Sequence, residues 1–181
     1  MFRYPNASDG LKLMFYGEIL VIIGTLLVWL PLVGVLLLLI GGIVSLVGLN
    51  RAGKDDEGYR TAFMLNIINI IVGLFSGGNG TLSAIMSIIS SLISLAVIYF
   101  VCTTTANLLH SVGAVETEQR GRTVWNINLV CTVVSVVLML LAFIPIVNIL
   151  AAVGMIIVVI AELVGYVLYL MFLNASYQAL Q

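Results

Sequence analysis

The stretch from residue 13 to residue 49 reads LMFYGEILVIIGTLLVWLPLVGVLLLLIGGIVSLVGL, a mostly apolar run nearly twice as long as one membrane span. A lipid hydrocarbon core about 30 Å thick is crossed by roughly 20 apolar residues in a helix. Pro31 lies near the middle, where proline removes a backbone donor and disfavours helix in the residue before it. The stretch therefore predicts a tight hairpin of two helices, over about residues 12–30 and 32–50.

The composition of the whole chain is that of an integral membrane protein. Of its 181 residues, 62% are hydrophobic and only 8% are charged, whereas a soluble domain is about half apolar and about a quarter charged. So few charges cannot cover a water-facing surface. The net charge of −1 gives no reason to expect a nucleic-acid partner. Cys102 and Cys131 lie in apolar runs, which is typical of buried thiols rather than of a disulfide or a metal site.

Four more apolar runs follow the first hairpin. They cover about residues 61–76, 82–109, 123–143 and 147–173, with turn signals in SGGNGT at 76–81 and FIPIVN around Pro145. Because a segment in lipid must satisfy its own backbone polar groups, all of these runs are predicted to be helices. We expect an all-α bundle with six transmembrane helices in one domain and no soluble domain. Its three consecutive hairpins cover about residues 12–50, 61–109 and 123–173.

The basic residues indicate which ends of the predicted spans face the cytoplasm. All seven fall on one side of a six-span arrangement: Arg3, Lys12, Arg51, Lys54, Arg60, Arg120 and Arg122. By the positive-inside rule that side is cytoplasmic, so both termini are expected there. We expect an integral protein of a bacterial or archaeal plasma membrane, surrounded by the lipid bilayer. A homo-oligomer and a larger membrane complex are the two candidate assemblies for this chain.

A short phrase opens three of the predicted spans. KLMFYGE at 12–18, RTAFMLN at 60–66 and RTVWNIN at 122–128 each place an aromatic residue three positions after a basic one. Any span that enters from the cytoplasm commonly begins with a basic residue followed by an aromatic one at the level of the lipid headgroups, which explains these two positions. The third position is occupied by Glu18, Asn66 and Asn128. It lies about 9 Å beyond the basic residue along a helix. At that depth, polar groups prefer partners or water to lipid. Hairpins packed around a pseudo-threefold axis would bring these three side chains to one level. Otherwise, the phrase only marks the membrane surface.

Two further polar residues lie within the predicted spans. Glu162 is about 18 Å from Asn174 along a helix, near the midplane, with no Lys or Arg at that depth. It is either an ion or proton site or a protonated carboxyl that makes one structural hydrogen bond. Candidate partners are Asn69, Thr132 and Ser135. Asn69 also makes the third span, together with Asn66, the most polar one, and segments of this kind line binding sites in transporters.

Small residues recur on the even-numbered spans at spacings that let helix backbones approach. They are Gly34, Gly41 and Gly48, then Ser83, Ser87 and Ser91, and then Ala161 and Gly165. These residues indicate either tight packing within the chain or a close-packed centre or subunit interface built from the even-numbered spans.

The polar residues favour a transport role. Glu162, the polar third span and the Glu/Asn level support a small transporter, channel subunit or membrane component of a transport system for an ion or small solute. Short loops and small-residue stripes also suit a non-catalytic scaffold, accessory or membrane-shaping subunit. An enzyme is not expected, since the sequence offers neither a nucleophile with a base nor clustered carboxylates. No cofactor or metal site is predicted.

Overall fold

The computed structural model describes residues 4–76, 81–141, 144 and 148–181, and all of the described regular structure is helical. The helices are α1 (Pro5–Leu26), α2 (Pro31–Ala52), α3 (Glu57–Ser76), α4 (Thr81–Ser111), α5 (Val115–Leu141) and α6 (Asn148–Ala179). Each predicted span corresponds to one helix, although every helix extends beyond the predicted bounds at one end or both. Arg3 and the predicted turns at 77–80 and around Pro145 lie outside the described residues.

Within the described residues, four helical segments are long and apolar enough to cross a membrane. They are Leu32–Ala52, Thr81–Ser111, Val115–Leu141 and Val153–Ala179. The helices α1 and α3 are more polar, since α1 carries Asp9, Lys12 and Glu18 and α3 carries two asparagines. The chain is thus a helical bundle of the membrane type, and the count of six spans stays a prediction.

The helix break that Pro31 predicts is present. The first helix ends at Leu26 and α2 begins at Pro31, where a missing N–H costs no hydrogen bond because the first turn of a helix has none to make. Turn hydrogen bonds close the backbone between them: Leu27 N–H donates to Ile23 O at 3.0 Å, and Leu30 N–H donates to Leu27 O at 2.8 Å. The two helices therefore lie antiparallel, side by side.

Glycines bring α1 and α2 into backbone contact along their length. Gly10, Gly17 and Gly24 of α1 face Gly48, Gly41 and Gly34 of α2, respectively. A methyl group added at Gly17 would lie 2.7 Å from Ser45 N and 2.8 Å from Gly41 O, and one added at Gly41 would lie 2.6 Å from Gly17 O. Only glycine permits so close an approach, which also allows Cα–H···O contacts between the helices. The predicted glycine stripe on α2 is therefore buried against α1.

The other predicted small residues have different surroundings. Ser87 Oγ donates to Ser83 O at 2.9 Å and Ser91 Oγ donates to Ser87 O at 3.0 Å, so these hydroxyls bond back to their own helix. Gly165 faces α5, where an added methyl group would lie 3.3 Å from Ile127 Cγ2. Ala161 is half-buried. In the described part of the chain, the even-numbered helices pack chiefly against odd-numbered ones rather than against each other.

The helices form a closed ring in chain order. Each helix packs against the next, and α6 returns to pack against α1. Ser8 Oγ donates to Tyr177 O at 2.8 Å, and Ser111 Oγ donates to the Tyr4 hydroxyl at 3.1 Å. The first and last described residues therefore lie at the same end of the ring. The three consecutive helix pairs are antiparallel, and a threefold repeat among them stays a prediction.

Charged residues gather at this same end, which we call the charged end. Asp55 accepts hydrogen bonds from Ala7 N–H and from Asn6 Nδ2, both at 2.7 Å. A carboxylate in this position caps the N-terminus of α1 from a different loop. Ion pairs add to the cluster: Arg51 with Asp9 at 2.5 Å, Arg120 with Glu116 at 2.6 Å and Arg122 with Glu118 at 2.8 Å.

The best-packed core lies just inside the charged end. Its fully buried side chains include Leu11, Leu49, Tyr59, Leu109 and Leu173, from five different helices. Along α4, by contrast, no residue from 81 to 100 is buried. A helix inside a tightly packed bundle buries a residue every three or four positions. The described ring is therefore tight at the charged end and loosely packed toward the opposite end.

Candidate functional site

A polar cavity of about 220 Å³ lies inside the ring, beside the packed core and on the side away from the charged end. Its lining comes from five helices: Glu18 of α1, Asn66 and Asn69 of α3, Ser94, Val97 and Ile98 of α4, Asn128 of α5, and Tyr166 and Tyr169 of α6. Glu18, Asn66 and Asn128, which the repeated phrase aligns, thus face one space. They lie at one level because α1, α3 and α5 all leave the charged end with the same spacing after a basic residue.

Glu18 is a half-buried carboxyl with two hydroxyl partners and no countercharge. Ser45 Oγ donates to Oε1 at 3.0 Å, and the Tyr166 hydroxyl donates to Oε2 in a short hydrogen bond. No Lys, Arg or His side chain among the described residues pairs with it. Each carboxylate oxygen accepts one hydrogen bond and can accept another. The remaining acceptor capacity is available to whatever enters the cavity.

Asn69 joins α3 to α4 through both ends of its amide. Its Nδ2 donates to Ser94 Oγ at 2.8 Å, and its Oδ1 accepts from Ser90 Oγ at 2.7 Å. These bonds hold the two helices together at the level of the cavity. Although Asn69 lines the cavity, its amide is engaged with protein partners, so we assign it a positioning role.

Asn66 and Asn128 keep unused polar atoms at the cavity. Asn128 Nδ2 donates to Val124 O at 2.9 Å, one turn back in its own helix. Its Oδ1 accepts no hydrogen bond from the described residues, and Asn66 makes none with any of them. Both side chains are half-buried. Because partly buried amides in folded proteins are nearly always hydrogen-bonded to protein or water, these two groups are open to a polar ligand.

Tyr166 and Tyr169 of α6 are site residues that the sequence reasoning missed. Their ring centroids lie 6.5 Å apart, and both rings line the cavity. A signal was present: Tyr166 lies eight positions before Asn174, or about 12 Å along the helix, deeper than the aromatic belt of a span. A tyrosine at that depth needs a hydrogen-bond partner for its hydroxyl, and the deepest acid on the first helix provides one.

Glu162 lies away from this cavity. Its side chain is exposed, and Ser135 Oγ donates to its Oε1 at 2.7 Å. Ser135, which is one of the partners considered from the sequence, is buried between α5 and α6. Neighbouring Ile160 and Leu163 are also exposed, at 60% and 66%. The two predicted intramembrane acids, Glu18 and Glu162, therefore occupy different surroundings.

A larger groove on the described surface is a poorer candidate. It has a volume of about 440 Å³ and runs between α5 and α6 near the charged end. Its charged residues, Glu116 and Arg120, already pair with each other at 2.6 Å. Since these two charges pair with each other, the groove offers no uncompensated charge to a ligand.

Comparison with protein-family models, curated proteins and solved structures finds no match to this chain. The chemistry of the site must therefore support any functional assignment. Among the described residues, no three His, Cys, Asp or Glu side chains come together. The cavity offers one carboxyl, two open amides and two aromatic rings, which is a set suited to binding a small polar or cationic molecule.

Proposed function

We propose that this chain is a membrane transport protein, as a small transporter, channel subunit or membrane component of a transport system for an ion or small solute. The solute passes through the cavity at Glu18. The supporting observation is unused hydrogen-bonding capacity on Asn66 and Asn128 inside a largely apolar ring. Half-buried amides without a protein partner are available to a solute that enters the cavity. Residues of this kind in membrane helices typically mark solute or ion pathways.

The proposal includes a direction across the membrane. We place the charged end in the cytoplasm, with six spans and both termini inside, because all seven basic residues fall on that side of the topology. The packed core around Tyr59 and Leu173 then separates the cavity from the cytoplasm. The loosely packed helices lead from the cavity toward the outer face. Transport in this arrangement requires the core to loosen during each cycle.

A non-catalytic scaffold is the alternative function. The glycine contacts between α1 and α2 favour it, since backbone contact over a whole helix length gives a rigid pair. A scaffold gains nothing from open amides around Glu18. A measurement of solute passage through the cavity therefore distinguishes a transport protein from a scaffold.

Reconstitution of the purified full chain in liposomes tests the transport proposal. Uptake of radiolabelled propylammonium, glycerol and propionate is measured for wild type and for the double variant Asn66→Leu/Asn128→Leu, which fills the cavity and removes its open amides. At least one solute should enter faster than into protein-free liposomes, and the double variant should lose most of that rate. Glu162→Gln, outside the cavity, is the matched control and should keep it.

Two results would contradict the proposal. One is that no solute enters above the protein-free rate. The other is a rate that the double variant leaves unchanged, because the solute would then cross by a route other than the cavity.

A further inference from the structure

The ionisable residues that line the cavity indicate whether its ligand is a cation or an anion. Glu18 is the only Asp or Glu among its lining residues, and no Lys, Arg or His lies among them. A carboxylate in surroundings of low dielectric strongly repels anions and attracts cations. Its two protein partners, Ser45 and Tyr166, are neutral hydroxyls, so in its ionised form the carboxylate has no countercharge among the residues that line the cavity.

The open acceptors lie on three helices. Glu18 of α1 has free lone pairs on its carboxylate, Asn66 of α3 has a free amide, and Asn128 of α5 has a free Oδ1. A primary ammonium group carries three N–H donors and no acceptor. Three acceptors converging on one space from three sides are the complement of such a group. The rings of Tyr166 and Tyr169 add aromatic faces that attract a cation within about 6 Å.

The rest of the cavity argues against a bare metal ion. Divalent cations such as Ca²⁺ take about six to eight oxygen ligands, usually several of them carboxylates, and this cavity has one carboxyl. A volume of about 220 Å³ also leaves room beyond a single ion. Val97 and Ile98 provide an apolar wall, against which a short alkyl chain can pack.

We propose that the cavity binds a small alkylammonium ion, with its NH₃⁺ group held by Glu18, Asn66 and Asn128 and its alkyl chain against Val97 and Ile98. This inference rests on the proposed function, whose solute it names. The ammonium group displaces water from the open amides and supplies the countercharge that Glu18 lacks. The alkyl chain distinguishes the ligand from the inorganic ammonium ion.

Binding to the detergent-purified full chain tests this inference without requiring transport. Radiolabelled propylammonium is the probe, and unlabelled propylammonium, ammonium, 1-propanol and propionate are the competitors. We expect propylammonium to compete best and ammonium to compete more weakly, because it lacks the alkyl chain. Propanol, which has the same propyl chain without the positive charge, and propionate, an anion of similar length, should both compete little. This comparison uses wild-type protein alone, so it does not depend on any variant folding.

Substitutions then locate the ammonium group. Glu18→Gln keeps the side-chain shape but removes the charge, and it should weaken propylammonium binding about tenfold or more, the loss typical of a charge-assisted hydrogen bond. Asn66→Ala and Asn128→Ala should each weaken it severalfold. Glu162→Gln is the matched control, since it removes the other intramembrane carboxylate, and it should bind as wild type does.

The possible results separate this inference from the proposed function. Absence of propylammonium binding, equal competition by propanol, or unchanged binding in Glu18→Gln overturns the inference. Glycerol uptake in liposomes that Asn66→Leu/Asn128→Leu abolishes would in that case still support transport. Propylammonium binding without uptake of any solute would sustain the inference and contradict the transport function.

Discussion

Tyr166 on α6 donates its hydroxyl hydrogen to Glu18 Oε2 on α1, a partner 148 positions away in the chain. This bond closes the ring of helices at the level of the cavity, while Ser8 and Tyr177 close it at the charged end. The same hydroxyl therefore serves two purposes. It joins α6 to α1, and it fixes the orientation of the one carboxyl that lines the cavity.

Tyr166→Phe should lower the free energy of unfolding by about 1 kcal/mol, because it removes the donor to Glu18 and keeps the ring. Hydrogen bonds between membrane helices average about 0.6 kcal/mol, and bonds to charged groups contribute more. Denaturant titration in detergent measures the change. Tyr16→Phe, an exposed tyrosine on the same helix as Glu18, should have no effect.

A double-mutant cycle isolates the bond itself. If Tyr166→Phe and Glu18→Gln destabilise the protein independently, so that their effects simply add, the two side chains do not interact in the membrane-embedded protein.

Gly17→Ala should destabilise the protein by about 1–3 kcal/mol, because overpacking forces backbones apart. The new methyl group would lie 2.7 Å from Ser45 N and 2.8 Å from Gly41 O, both backbone atoms of α2 that cannot rotate away. Gly42→Ala is the matched control: an added methyl group there meets nothing within 4 Å. It should be neutral or slightly stabilising, since alanine favours helix by up to about 1 kcal/mol. Equal effects at the two positions would show that α1 and α2 are not in backbone contact.

Ser135→Ala should cost about 1 kcal/mol, because it removes the hydrogen bond to Glu162 Oε1 at 2.7 Å. Glu162→Gln keeps an oxygen that can accept the same bond, so it should leave the free energy of unfolding nearly unchanged. Thermal unfolding in detergent measures both. A larger loss from Glu162→Gln than from Ser135→Ala would mean that Glu162 contributes to stability through more than this bond.

Cysteine labelling tests the six-span topology. In a chain whose own Cys102 and Cys131 are replaced by serine, Lys54→Cys and Asn79→Cys are treated with a membrane-impermeant thiol reagent. Asn79 lies outside the described residues, in the predicted outer turn, and should react in intact cells. Lys54, which is exposed near the charged end, should react only after permeabilisation. Reaction of both positions from the same side contradicts the topology.

Depth along a helix could be predicted from the sequence. A fixed rise per residue and a shared entry side are enough to give Glu18, Asn66 and Asn128 one level, and in the structure they line one cavity. The break at Pro31 was predictable for a similar reason, since proline constrains the backbone locally and independently of the rest of the fold.

The direction in which each helix faces was much harder to predict. Lipid tails and protein interiors are both apolar, so a membrane helix shows little contrast between its two faces. The sequence therefore did not distinguish Glu18, which lines the cavity, from Glu162, which is exposed. Gly10, Gly17 and Gly24 of α1 have the same seven-residue spacing as the α2 glycines. Only the tertiary contacts show that the two stripes pack against each other.

The pairing of the first helix with the sixth imposes an order on biosynthesis. A ribosome synthesises α1 and α2 well before α6, so Ser45 is the first of the two donors to become available to Glu18. Its second donor, Tyr166, arrives only with α6. A nascent chain that stops before α6 therefore has this carboxyl with one of its two hydroxyl donors, and it lacks the helix that closes the ring.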